Sequence, residues 1–316
     1  MKDDLKKSLK KSYFISGFAV LIIALVLIFL SVKNIAKYHL IHVGFFYFEP
    51  AVFFAVPLFF LILVFAVRGK FWAYMLWLGF LFYFLHFCYI SDLLPYKDLT
   101  LFLYLSFFLI LCTFVLELKS INPTEIAEKL KDKIPRKATV AFLILGIITI
   151  IGPLLLSLYF QLIHIDEFYA DPIRIHLYYE RNAIRNIGFL NFPLYLSFNP
   201  IVDLGFLLPL YIIIIYQLIR KKDWGYILAP IVFIKSAVPL FSVFHYDAVR
   251  IIYFGRFLKI YSSFIQIVVY GFSVVTTKRF PLKHDLLTIK LLLFMLFTLT
   301  AAGLTLFFLI KLRKAK

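Results

Sequence analysis

The chain has 316 residues, of which 63% are apolar, 20% aromatic and 16% charged, with a mean hydropathy of +0.93 and a formal net charge of +17. Soluble domains average about 45–50% apolar and about 25% charged residues, so this composition leaves too little polar surface to coat a water-soluble globule. With two Cys and 12 Gly it also excludes disulfide scaffolds and collagen, and it is too apolar for disorder.

An apolar helix needs about 20 residues to cross about 30 Å of hydrocarbon. That ruler marks nine candidate spans, near 14–32, 44–67, 71–90, 99–118, 139–162, 200–219, 224–243, 257–277 and 288–310. The expected fold is therefore an all-α transmembrane bundle of eight or nine helices forming a single polytopic domain over residues 1–316. Residues 1–13 carry five Lys ahead of a long apolar run with no small-residue cleavage site, which reads as a retained signal anchor. The segment 257–277 holds Lys259, Ser262, Ser263 and Gln266, and it either spans or lies along the interface.

Lys and Arg in the short loops set the orientation. With the N-terminus in the cytoplasm, the inside segments hold 19 basic residues and the outside loops before the C-terminal tail hold nine. Counting the tail, the balance is 19 against 13 for nine spans and 20 against 12 for eight, so charge does not choose between them. Basic residues at span ends are retention signals that also meet anionic lipid headgroups on the cytoplasmic face. No basic stripe sits on a soluble module, so nucleic acid is not an expected partner. The expected location is a prokaryotic plasma membrane.

Two loops have readable content. Within 119–138, Asn122 can cap a helix, Pro123 fits its first position, and Glu125 stands three residues after the cap. Ile126, Leu130 and Ile134 then recur every four residues, which predicts a short amphipathic helix on the cytoplasmic surface with Glu125 and Lys129 paired. The segment 163–199 mixes His164, Asp166, Glu167, Asp171, Arg174, His176, Glu180, Arg181 and Arg185 with Phe and Tyr. Such mixtures favour the headgroup level, and the expectation is a long outer interfacial loop covering the bundle.

Charges inside a span cost at least about 2.5–3.5 kcal/mol each, so each one marks a place to look. Glu49 opens the second span, His86 lies late in the third, Asp203 opens the sixth and Lys235 stands in the seventh. At about 1.5 Å per residue, Asp203 rises about 25 Å and Lys235 about 18 Å from the tight turn Arg220–Asp223. The two could therefore meet in the outer half of the bilayer as a buried pair. Pro209, Pro230 and Pro239 in the same hairpin remove backbone donors and predict kinks.

Three functional readings follow. The leading one is binding or transport of a small solute or ion through an outward-facing polar pocket, with Asp203 and Lys235 as the charged pair and Glu49 and His86 lining the approach. The second is an intramembrane enzyme on a lipid-linked substrate at the outer leaflet, with His164, Asp166 and Glu167 as acid, base or metal groups. The third is an assembly or scaffold protein in which the charged pair only fixes packing. His39, His42 and His164 have weak metal-ligand spacing, and no motif indicates a cofactor. No phosphate-binding Gly loop, nucleophile elbow, zincin motif or Cys-pair motif occurs.

Residues 203–240 carry Asp203, Leu204, Gly205, Pro209, Arg220, Trp224, Gly225, Tyr226 and Lys235 in an order that resembles a family of uncharacterised prokaryotic integral membrane proteins. Residues 68–86 and 101–110 are similar to that family's third and fourth spans. The resemblance implies a polytopic architecture and draws attention to Asp203 and Lys235; it implies no activity.

Overall fold

The computed structural model describes residues 3–38, 50–90, 97–163, 203–240 and 282–313. Among them every regular element is helical. The α-helices are α1 (Asp3–Tyr38), α2 (Pro50–Val67), α3 (Phe71–Ile90), α4 (Lys97–Ser120), α5 (Pro123–Leu130), α6 (Arg136–Ile163), α7 (Leu208–Ile219), α8 (Asp223–Ala237) and α9 (Leu282–Arg313). Four helical stretches are long and apolar enough to cross a membrane: Leu9–Phe29, Phe71–Cys88, Leu101–Ser120 and Leu296–Arg313. A fifth is possible if the pair bent by 97° at Ile134–Pro135 forms one broken span. Among the described residues the protein is thus all-helical, with four or five helices suited to a membrane. The stretches Phe54–Val67 and Leu204–Ile219 are apolar but shorter. The expected segments 163–199 and 257–277 lie outside the described residues.

Contacts divide the chain into two compact units: Met1–Ala141 with Ile213–Tyr246 and Thr298–Lys316, and Phe142–Ile212 with Asp247–Phe297. In the first unit α3 is the centre, packed against α2, α4 and α8, while α1 packs on α2 and α4. The exposure pattern shows the same division of labour. On α1, Ser16, Val20, Ile23 and Leu27 are buried, whereas Phe14, Phe18, Leu21, Leu25 and Ile28 are exposed. Both stripes advance by three or four residues, so one apolar face meets protein and the other is left for lipid. On α3 nearly every side chain from Met75 to Cys88 is buried, and on α8 the same holds from Gly225 to Ser236. These two helices face protein on nearly all sides.

Their crossing is close. A Cβ on Gly79 of α3 would lie 2.5 Å from both Cβ and Cγ2 of Ile234 on α8. A residue without a side chain lets two backbones approach in this way, a recurrent device where helices associate in lipid.

The short helix α5 forms where the sequence places it. Pro123 takes the first turn, Ala127 and Leu130 are buried, and Lys129 Nζ lies 2.7 Å from Glu125 Oε1. Asn122 has the extended backbone of a cap, but its side chain makes no capping bond. The apolar side of α5 packs on α8, so the helix docks on protein. Asp223 at the start of α8 fastens it, accepting from Thr124 Oγ1 at 3.2 Å and pairing with Lys131 at 3.1 Å. The hydrogen bond and charge of Lys129 hold the exposed Glu125 carboxyl below its ordinary range. The chain then turns into α6 at Ile134, whose extended backbone is what a following Pro135 requires.

The turn between α7 and α8 is as tight as expected. Lys221 takes a positive φ of 54°, and a Cβ on Gly225 would meet the Leu218 backbone nitrogen at 2.8 Å. In the second unit, α7 is preceded by a π-helical turn at Asp203–Leu207. Pro209 lacks the N–H that would bond back to Gly205, which accounts for the widened turn. Gly146 there lies against the rings of Tyr211 and Phe297, and Phe142 stacks on Phe297 at 4.8 Å.

Candidate functional site

Two buried polar clusters form in the first unit, and α3 contributes to both. The first lies where α3 meets α8. Lys235 is only 5% exposed, and it interacts electrostatically with the His86 ring. His86 Nε2 is shielded from solvent, as are the Tyr83 hydroxyl and Ser236 Oγ. Tyr83 stands three residues before His86 on α3, the spacing that puts two side chains on one helix face. Ser236 Oγ has no hydrogen-bond partner among the described residues, which is uncommon for a buried hydroxyl.

Helix α8 explains the position of Lys235. The helix ends at Ala237, with the Val238 N–H bonding back to the Ile234 carbonyl, and Pro239 follows. Lys235 is thus in the last turn of a helix that the sequence suggested would run on to 243. A cation there meets the negative end of the helix dipole. The buried Pro230 removes the bond that would otherwise go to the Tyr226 carbonyl.

The described residues therefore bring together two of the sequence-derived site residues, His86 and Lys235. Asp203 opens the π turn; its side chain, and with it the expected Asp203–Lys235 pair, lies outside the described residues. Glu49, His39, His42, His164, Asp166 and Glu167 lie outside the described residues. Among those that are described, no group of three His, Cys, Asp or Glu side chains gathers in a way that could hold a metal ion. Cys88 is buried and Cys112 half-buried, both as free thiols.

The second cluster was not anticipated. It gathers α1, α3 and α4 around Glu117, a carboxyl just 2% exposed. Tyr74 Oη donates to Glu117 Oε2 at 3.4 Å, and Ser12 forms a further hydrogen bond to the same carboxyl. Beside them, Trp77 Nε1 donates to Ser16 Oγ at 3.2 Å and Ser16 donates to the Tyr13 carbonyl at 3.0 Å. The Tyr13 ring packs edge-on against Trp77 at 4.7 Å. A signal for Glu117 was present in the sequence. Leu103, Ser106, Ile110, Thr113 and Glu117 form one stripe of α4 at three- and four-residue spacing, and all five are buried. Its polar members share that face, whereas Glu117 by itself looks like a residue leaving the membrane.

No protein-family profile, no curated protein and no solved structure matches this chain.

Proposed function

We propose that this chain is a multi-pass protein of a prokaryotic cell membrane that binds or moves a small solute or ion through an outward-facing polar pocket, with Lys235 and His86 among the groups that line it. The N-terminus in the cytoplasm, eight or nine spans, anionic headgroups as neighbours of the basic loops, and kinship with the prokaryotic family that residues 203–240 resemble belong to the same proposal. The observation that carries it is Lys235, an ionisable side chain buried beside His86. Ionisable groups at membrane depth are costly, and they mark ligand or ion paths more often than packing contacts. Two nitrogen-bearing side chains suit a ligand that presents acceptor oxygens.

A packing role is the second reading, and the Gly79–Ile234 crossing favours it, because a helix pair this close gains from a fixed register. The enzyme reading rests on His164, Asp166 and Glu167, and no observation among the described residues favours it.

Thermal unfolding of the full-length protein in lipid nanodiscs, against a panel of inorganic and organic anions, cations and neutral solutes, separates the first two. Solute binding predicts stabilisation of about 2.7 kcal/mol when a ligand reaches about 100 times its Kd, retained folding in Lys235→Met, and loss of that gain. Packing alone predicts no ligand effect and a loss of several kcal/mol in the mutant.

A further inference from the structure

The Glu117 cluster is distinct from the one at Lys235 and is built differently. Ionised carboxylates withdrawn from water are normally paired with a cation or coordinated to a metal. Here the hydrogen-bond partners are the neutral hydroxyls of Ser12 and Tyr74. Among the described side chains, no Lys, Arg or His lies within ion-pair distance of Glu117. The groups facing it are Tyr13 from α1 and Tyr74 from α3. Lys10 and Lys11 beside Ser12, and Lys119 on α4, have exposed side chains.

We propose that Glu117 is a proton-binding site that loads and unloads from the water at this basic end of the unit. A hydroxyl both donates and accepts, so the cluster is satisfied in either state. With the carboxylate ionised, Ser12 and Tyr74 donate to it. On loading, a hydronium O–H bond breaks as the Glu117 O–H bond forms, and the new donor turns to a hydroxyl oxygen that previously donated. A lysine partner could not reverse its role in this way, because an ammonium has no acceptor. Access is short: Lys119 and Ser120 are exposed within one helical turn of Glu117. The bonds it exchanges join α1, α3 and α4, so each loading event resets the contact between three helices. One of them, α3, also carries His86.

Infrared difference spectra of the full-length protein in lipid nanodiscs, taken between about pH 5 and about pH 9, test this directly. The expected result is a carboxylic acid C=O band that grows on acidification and is missing in Glu117→Gln. Tyr74→Phe removes a donor to the charged form, so it should raise the midpoint pH by about one unit, a tenfold gain in proton affinity. Should Glu117→Gln fail to fold, wild-type and Tyr74→Phe proteins carrying isotopically labelled glutamate provide the same comparison. A Glu117 that holds one protonation state across the range would overturn the proposal. So would a band that persists in Glu117→Gln or a midpoint unmoved in Tyr74→Phe.

Discussion

Replacing Gly79 by Ala tests the closeness of the α3–α8 crossing. The added methyl would sit 2.5 Å from Cβ and Cγ2 of Ile234 and 3.2 Å from its Cδ1. Carbon atoms pack at about 3.5–4.0 Å, so the helices must part by about 1 Å. Rotation of the Ile234 side chain cannot relieve this, because its Cβ is fixed to the backbone. Overpacking of this kind costs about 1–3 kcal/mol, which unfolding in mixed micelles of increasing denaturing detergent can resolve. The control is the background. Ile234→Ala keeps the offending Cβ and should restore only part of the loss, whereas in Ile234→Gly the same Gly79→Ala change should cost nothing or stabilise. A coupling of about 1–3 kcal/mol between Gly79→Ala and Ile234→Gly is therefore expected. If Gly79→Ala lies within about 0.5 kcal/mol of wild type, or costs the same in the glycine background, the close crossing is wrong.

Other changes probe the remaining contacts. Asp223→Ala removes both ties between α5 and α8, and for a partly exposed pair it should cost about 1 kcal/mol or less. Part of that loss should vanish at high salt in the same unfolding assay. Trp77→Phe loses the bond to Ser16 and shrinks a fully buried ring, for an expected cost of about 2–3 kcal/mol; Ser16→Ala in that background should add little. Lys221→Gly relieves a left-handed backbone and should be neutral or stabilising by up to about 1 kcal/mol, whereas Lys221→Val should lower the unfolding midpoint.

Much of the architecture could be read from residue types because bilayer physics is strict about them. Pro123 marks the start of α5, the basic turn after Ile219 marks the α7–α8 hairpin, and the spacing of Glu125 and Lys129 makes their pair. His86 and Lys235 stood out because polar groups are expensive in apolar helices, and they do lie together. The roles of the helices were less legible. Both α1 and α3 are apolar all round, and apolarity does not distinguish a face turned to lipid from one turned to protein. Only the packing shows α3 to be central and α1 peripheral. Glu117 was missed for a related reason: it is three residues from the end of its helix, where a carboxyl usually reaches water. The polar stripe from Ser106 through Thr113 shows that it turns inward.

The most direct measurement of the central claim is a native mass spectrum of the full-length protein released from native-membrane particles, without detergent exchange. Solute binding at Lys235 predicts a discrete adduct of fixed mass on wild type that disappears in Lys235→Met. A bare protein mass, or generic lipid adducts unchanged by that substitution, would contradict it and leave Lys235 and His86 as a packing device.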